Sequence, residues 1–121
     1  MVKALFDTNI VLDYLKGIEA AERELSRYED IAISIVSRIE VLVGVTPDIE
    51  NDVRALLDDL TTIHLDDDVA ERAIILRRIR RLKLADSIIW ASAQADNRLF
   101  VTRDTKDFPV EDPGIRMPYK I

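Results

Sequence analysis

Residues 5–10, Leu5-Phe6-Asp7-Thr8-Asn9-Ile10, are the stretch around which the rest of this chain can be interpreted. Residues 2–6 are mostly apolar and predict a buried strand, whereas apolar residues recur at helical spacing from Ile10 onward. Asp7 therefore stands where a strand ends and a helix begins. A carboxylate there can belong to a binding site, because ligands of open α/β sheets collect at the carboxyl ends of the strands. It can equally be a helix cap, since Asp is among the best N-cap residues.

The composition indicates one globular domain with room for a hydrophobic core in its 121 residues. The chain has no cysteine, which excludes disulfides and cysteine-ligated zinc, and its single histidine argues against a histidine-based triad. No run of residues looks like a signal peptide or a membrane span, so we expect a cytoplasmic protein without a membrane partner. The net charge of −6 does not favour nucleic-acid binding through bulk charge, but it suits chemistry that uses carboxylates.

The remaining apolar runs alternate between strand and helix patterns. Strands are predicted at 2–6, 31–33, 61–65 and 99–101, with a short fifth strand near 115–116. Helices are predicted at 8–16, 20–29, 38–43, 49–60, 66–82 and 87–96. The helix at 66–82 has an expected inner stripe of Val69, Ala73, Leu76 and Ile79, with Ile75 as a further candidate. This alternation predicts an α/β sandwich around a mainly parallel sheet.

Three further acidic residues occupy positions comparable to that of Asp7. Glu40 falls near the start of the helix after the second strand, Asp86 at the head of a later helix, and Asp104 just past the fourth strand. Each has a structural explanation of its own. Ser37 and Glu40 match a capping box, Asp86 suits an N-cap, and Asp104 can organise a turn. Helix caps predict no relation among the four, whereas a metal site predicts that they cluster at one edge of the sheet.

A cluster of four carboxylates would need a cation. Carboxylates within about 4–6 Å raise one another's pKa and oppose folding unless a positive charge neutralises them. Oxygen ligands without cysteine or a suitable histidine favour Mg²⁺ or Mn²⁺ over zinc. Such ions can activate water and stabilise the departing oxygen of a phosphodiester, so the pattern predicts a metal-dependent nuclease.

Four blocks of the sequence also resemble the PIN-domain family, and in particular the VapC-type toxins of type II toxin–antitoxin systems. In chain order the blocks are LFDTN at 5–9, SRIEVL at 37–42, LADSII at 84–89 and LFVTRD at 99–104. Each block alone is a weak signal. The ordered set is specific, because it extends over almost the whole chain with compatible spacing.

The resemblance implies a three-layer α/β/α, PIN-like (Rossmann-like) sandwich of 4–5 mainly parallel strands, formed as one domain over residues 1–121. It also implies an Mg²⁺- or Mn²⁺-dependent ribonuclease site at the carboxyl edge of the sheet. The residues that fall on the family's catalytic and metal-binding acidic quartet are Asp7, Glu40, Asp86 and Asp104. Asn9 and Thr102 fall on polar positions beside these ligands, and Asp107 can share the role of Asp104.

The resemblance further implies the partners of the protein. They are an RNA substrate, a cognate antitoxin protein that blocks the site, and a second copy of the chain in a homodimer. Five arginines are candidates for binding RNA phosphates, either because they form a basic strip at the end of one helix or because they lie next to the quartet: Arg38, Arg77, Arg80, Arg81 and Arg103. For the strip at 77–83 the alternative is structural, since cations complement the C-terminal end of a helix dipole.

Three other functions are alternatives to a nuclease. Haloacid-dehalogenase-type phosphatases need a second aspartate two residues after the first, where this chain has Asn9, and response-regulator receivers need an acidic pair after the first strand that is missing here. The third alternative is a catalytically silent PIN-like scaffold or regulatory protein-binding module. A complete quartet argues against it, because a degenerate site is expected to have lost at least one carboxylate.

Overall fold

The computed structural model describes residues 2–121, and the strands of this part of the chain form one sheet. The strands are β1 (Lys3–Phe6), β2 (Asp30–Ser34), β3 (Thr61–Ile63), β4 (Leu99–Val101) and β5 (Ile115–Arg116). They are arranged in the order β3-β2-β1-β4-β5, and every neighbouring pair is parallel. The predicted α/β class and parallel sheet are therefore confirmed, including the short fifth strand.

Six helices of the described residues cover the two faces of this sheet. They are α1 (Thr8–Leu15), α2 (Glu19–Leu25), α3 (Ile35–Gly44), α4 (Glu50–Asp58), α5 (Asp67–Arg80) and α6 (Leu84–Ala95). Two hydrophobic clusters lie on opposite faces, and β1 shows the alternation that separates them. Leu5 belongs to the cluster under α5 and α6, whereas Ala4 and Phe6 belong to the cluster under α1, α3 and α4. This arrangement is the predicted three-layer sandwich.

Two helices begin earlier than predicted, and both changes affect the acidic residues. Helix α3 begins at Ile35 because the Ser34 hydroxyl accepts a hydrogen bond from the Val36 amide at 3.1 Å. The predicted capping box at Ser37 is therefore wrong, and Glu40 lies in the middle of α3. Helix α6 likewise begins at Leu84, with Lys83 at its N-cap position. Asp86 is thus the third residue of α6 and not its cap.

Helix α5 ends earlier than predicted, so Ile79 does not lie on the inner face of the helix and Arg81 does not belong to the helix. It stops at Arg80, and Arg81 adopts a left-handed backbone conformation with φ of 55°. The predicted inner stripe holds for Val69, Ala73 and Leu76, which are buried, but Ile79 is 73% exposed. Leu82, just after the turn, is buried in the core. Within residues 2–121, no helix has the length and apolarity required to cross a bilayer.

Candidate active site

The parallel sheet brings the ends of β1 and β4 together at its carboxyl edge. The two strands are neighbours, with Phe6 paired to Val101, and the Asp7 amide donates to the Val101 carbonyl at 2.9 Å. Asp7 follows the central strand directly, and Thr102 follows β4. The elements of this edge therefore place Asp7 beside the loop that carries Asp104 and Asp107.

Asp7 is buried, with 5% of its surface exposed, and its carboxylate is held by three donors. Oδ1 accepts from the Thr8 amide at 2.8 Å, which is the helix cap considered from the sequence. Oδ2 accepts from the Thr102 hydroxyl at 2.7 Å and from the Asn9 side-chain amide at 3.3 Å. The pKa of Asp7 is nevertheless raised to about 6, chiefly by burial and also by the charges of Asp86 and Asp104, against the lowering effect of the hydrogen bonds from Thr102 and Thr8.

Three carboxylates, Asp86, Asp104 and Asp107, form what is called here the acidic cluster. One oxygen of each lies within 4.8 Å of the others. Asp104 organises its own turn, because its Oδ1 accepts from the backbone amides of Lys106 at 3.0 Å and Asp107 at 3.1 Å. Burial raises the pKa of Asp86, and the neighbouring charges of Asp104 and Asp107 raise it further against the opposing effect of Lys83. The cluster therefore holds negative charge at an energetic cost.

Glu40 and Asp7 lie next to the acidic cluster but are not members of it. The Glu40 side chain is exposed, and its Oε1 accepts from the Thr8 hydroxyl at 2.7 Å. The charge of Glu40 contributes to the raised pKa of Asp86. The structure thus brings all four predicted acids to one edge, with Asp107, and not Asp7 or Glu40, as the third member of the closest group.

The donors of this site fit a hard divalent cation. Carboxylate oxygens are the ligands that Mg²⁺ and Mn²⁺ prefer, and the acidic cluster contains neither sulfur nor imidazole. A cation at this place would also relieve the repulsion that raises the pKa of Asp86. Asp86, Asp104 and Asp107 are the residues best placed to hold it, with Asp7 and Glu40 close by.

The five candidate RNA-binding arginines have different surroundings. Arg38 forms an ion pair with Asp58 of α4 at 2.9 Å, and Arg77 donates to the Leu82 carbonyl at 3.2 Å. Arg103 is bound through two nitrogens to the buried Asp13, so its guanidinium is already engaged within the fold, and its contact with RNA stays a prediction. Arg81 has left the predicted helical face.

Arg80 keeps a position suited to an anionic ligand. Its guanidinium lies 5.5 Å from the centre of the Trp90 ring, and within residues 2–121 no carboxylate lies close enough to pair with it. Arg80 lines a cleft of about 540 Å³, whose other charged lining residues are Lys106, Asp107 and Glu111 and whose wall includes Ile79. Because Asp107 also belongs to the acidic cluster, the cleft opens directly beside the candidate metal site.

Two polar residues near the site were not singled out from the sequence. The Thr8 hydroxyl contacts Glu40 and also lies 2.8 Å from the Ser37 hydroxyl, which is a contact between residues far apart in the chain. Asp13 is only 1% exposed, although it is charged. A usable signal existed for Asp13, because it lies three residues after Ile10 on the apolar face of α1, where a charged residue needs a partner.

Comparison with known proteins identifies the family of this fold. The model of the PIN domain family matches residues 4–110. The chain belongs to the PIN domain family. A search of curated proteins found no match to this PIN domain.

Solved structures give the same fold. A chain of a toxin–antitoxin complex from Klebsiella pneumoniae is 40% identical to this PIN domain, with a TM-score of 0.93 and coverage of 98% of this chain and 100% of that chain. A chain of FitAcB from Neisseria gonorrhoeae is 21% identical, with a TM-score of 0.76 and coverage of 98% and 99%. A chain of DNA-bound VapBC from Salmonella typhimurium is 22% identical, with a TM-score of 0.77 and coverage of 96% of each chain. The last two show the fold alone.

Proposed function

We propose that this PIN domain is a metal-dependent endoribonuclease and the VapC-type toxin of a toxin–antitoxin pair. The observation that carries the proposal is the acidic cluster, in which three carboxylates lie within 4.8 Å of one another at the carboxyl edge of a PIN fold. Such a group is unfavourable without a cation and suits a site that binds one. The 40% identity to a chain of a toxin–antitoxin complex supports the toxin assignment.

The proposed roles follow from the positions of the residues. Asp86, Asp104 and Asp107 hold Mg²⁺ or Mn²⁺, with Asp7 and Glu40 completing the acidic site. Thr102 and Asn9 orient the Asp7 carboxylate through their hydrogen bonds. When bound, the metal supplies a Lewis acid that lowers the pKa of water and offsets the charge of the scissile phosphate. Thr8 keeps Glu40 turned toward this site, because its hydroxyl donates to Glu40 Oε1.

The cleft beside Asp107 supports the choice of a nucleic acid as substrate. Its cations, Arg80 and Lys106, can contact phosphates next to the one being cleaved, and Ile79 offers an apolar wall to a base. RNA, in preference to DNA, is inferred from the family resemblance. The expected partners are the RNA, an antitoxin that covers this edge and a second copy of the chain, and the expected compartment is the cytoplasm.

The test is RNA cleavage in Mn²⁺ together with thermal unfolding with and without Mn²⁺. We expect the wild-type protein to cut RNA and to unfold at a higher temperature with Mn²⁺, because a ligand of the folded state stabilises it. Asp86→Asn should lose at least about a hundredfold in cleavage and most of the Mn²⁺ stabilisation, since it removes a ligand. Asp67→Asn, an exposed change at the start of α5, is the control and should leave both unchanged.

Glu40→Gln distinguishes the acidic cluster from the wider quartet. It should weaken Mn²⁺ binding less than Asp86→Asn does, because Glu40 lies outside the cluster. Wild-type protein that neither cuts RNA nor gains stability from Mn²⁺ would favour the silent scaffold and contradict the nuclease proposal.

A further inference from the structure

The loop after β4 carries two of the three members of the acidic cluster, Asp104 and Asp107, yet it contains no regular secondary structure. Between residues 102 and 107, Asp104 Oδ1 accepts from two backbone amides, the Asp104 amide donates to the Thr102 hydroxyl at 3.1 Å, and the Asp107 side chain is exposed. The far end of this stretch is fixed by Phe108, which is buried against Phe100 and Trp90. The position of Asp104 and Asp107 relative to Asp86 therefore also depends on how the start of the loop is anchored.

Arg103 stands immediately before Asp104 and links the start of the loop to α1. Its Nε donates to Asp13 Oδ2 at 2.6 Å, and its Nη2 donates to Asp13 Oδ1 at 3.1 Å. This two-point pairing fixes orientation as well as distance. The Arg103 backbone amide also donates to Asn9 Oδ1 at 3.4 Å. Both contacts lead to α1, whose first turn is capped by Asp7.

The C-terminal end of the chain closes this arrangement. The Tyr119 hydroxyl donates to Asp13 Oδ2 at 2.8 Å, so three hydrogen bonds converge on one buried carboxylate. Burial alone would raise the pKa of Asp13, but the bonds from Arg103 and Tyr119 lower it below its ordinary value. Asp13 is thus a buried anion that connects α1, the loop after β4 and the C-terminal segment.

We propose that Asp13, Arg103 and Tyr119 are positioning residues that hold Asp104 and Asp107 at the metal site. The inference rests on the proposed function in that it assigns the acidic cluster to a metal. It adds a role for a buried ion pair outside the acidic quartet and for the last residues of the chain.

The molecule contains a second set of three residues that serves as a matched control. Glu24 is 4% exposed and accepts from Arg116 Nε at 2.7 Å, Arg116 Nη2 at 3.1 Å and the Tyr28 hydroxyl at 2.8 Å. The chemistry and burial match those of Asp13, but Glu24 connects α2 to β5 and not to the loop after β4. Removing either carboxylate should disturb folding similarly, and only one change should disturb the site.

The experiment compares Asp13→Asn with Glu24→Gln at a temperature where both proteins are folded. In metal-free protein, hydrogen exchange of the Asp104, Lys106 and Asp107 amides should be about tenfold faster in Asp13→Asn and unchanged in Glu24→Gln. Mn²⁺ affinity, measured by calorimetry, should fall about tenfold in Asp13→Asn only, which is the lower end for outer partners of metal ligands. Equal exchange rates and equal Mn²⁺ affinities in the two variants would overturn the proposal.

Two milder changes keep the test decisive if Asp13→Asn does not fold. Arg103→Lys retains the positive charge but loses the two-point pairing, and Tyr119→Phe removes one hydrogen bond. Both should speed exchange in the loop, with the larger effect for Arg103→Lys, and unchanged exchange in both would overturn the proposal. Hydrogen exchange needs neither metal nor RNA. A wild-type protein that cuts no RNA would therefore contradict the proposed function and leave this inference standing.

Discussion

Asp7 and Asp13 are two buried aspartates on one short segment, and their surroundings have opposite effects. Burial and the neighbouring carboxylates raise the pKa of Asp7 to about 6, because its hydrogen bonds come from neutral donors and offset only part of this effect. Asp13 receives a guanidinium and a phenol, and its pKa is lowered. The first residue therefore opposes folding when it is charged, and the second supports it. This contrast is expected if the charge of Asp7 is neutralised only when a cation binds, whereas Asp13 is already paired with the Arg103 guanidinium.

The first prediction concerns the pH dependence of stability in metal-free protein. Because the pKa of Asp7 is higher when folded (about 6) than its ordinary value of 3.8, its contribution to stability is lost as the pH rises from about 4 to above 6. Asp7→Asn should therefore be more stable than wild type at pH 7.5, by on the order of 3 kcal/mol at most. Urea denaturation in a chelator between about pH 4 and 8 measures this difference.

Asp13→Asn should change the stability at pH 7.5 in the opposite direction to Asp7→Asn. A carboxyl group whose pKa is lowered by folding stabilises the folded state at a pH above its ordinary pKa. This stabilisation is lost as the pH falls through the lowered pKa. Asp13→Asn should therefore be less stable than wild type at pH 7.5. An Asp7→Asn protein that is as destabilised as Asp13→Asn at pH 7.5 would contradict the environment assigned to Asp7.

Helix α5 shows how one element can be apolar on more than one side. Val69, Ala73 and Leu76 pack into the core, but Ile75 and Ile79 are 53% and 73% exposed. Helical spacing alone assigned Ile79 to the inner stripe. The helix ends one residue later at Arg80, and the chain turns so that Leu82, not Ile79, reaches the core.

The second prediction separates these two apolar positions. Leu76→Ala should lower the free energy of unfolding by about 2–5 kcal/mol, because it removes buried atoms and leaves a cavity. Ile79→Ala should change it by less than about 0.5 kcal/mol, since the side chain is mostly exposed. Urea denaturation at low protein concentration is the measurement. A loss above about 1 kcal/mol for Ile79→Ala would mean that this face is covered in solution, as a homodimer would cover it.

The whole molecule carries a net charge of −6, so the proposed RNA binding would have to come from local features and not from the overall field. Most arginines of the described residues are engaged with carboxylates of the fold, such as Arg54 with Glu50 at 2.8 Å. The cleft beside Asp107 is different, because Arg80 and Lys106 line it without a carboxylate partner in residues 2–121. Under the proposed function, these two cations are the groups that would contact RNA phosphates beside the acidic cluster, although Asp107 and Glu111 also line the cleft.

The third prediction concerns the salt dependence of RNA binding. Short single-stranded RNA is titrated with the Asp86→Asn protein, which should not cut it, and anisotropy is measured at several salt concentrations. Arg80→Gln in that background should weaken binding and reduce the slope of log K against log salt by about 0.7, the value for one phosphate contact on a single strand. Arg54→Gln, which removes an exposed and already paired arginine, should leave the slope unchanged. Equal slopes for the two variants would show that Arg80 makes no phosphate contact with the RNA.

The local patterns of the chain were sufficient for the class of fold and for the acidic set. Strand and helix periods are local properties, so the alternation of elements and the parallel sheet followed from them. The acidic residues stood at strand ends and near helix starts, and such positions meet at one edge of a parallel sheet. The confirmed family resemblance rests on the same blocks, of which LFDTN at 5–9 is the first.

Contacts between distant residues were decided only by the tertiary structure. The choice of Asp107 for the acidic cluster depends on how the loop after β4 folds back on α6, and no local pattern reports that distance. The starts of α3 and α6 and the end of α5 were also misplaced. Ser34, and not Ser37, caps α3, and the left-handed turn at Arg81 ends α5 and lets α6 begin at Leu84. The pairing of Arg103 with Asp13 joins residues 90 positions apart, so its place beside the acidic cluster exists only in the folded chain.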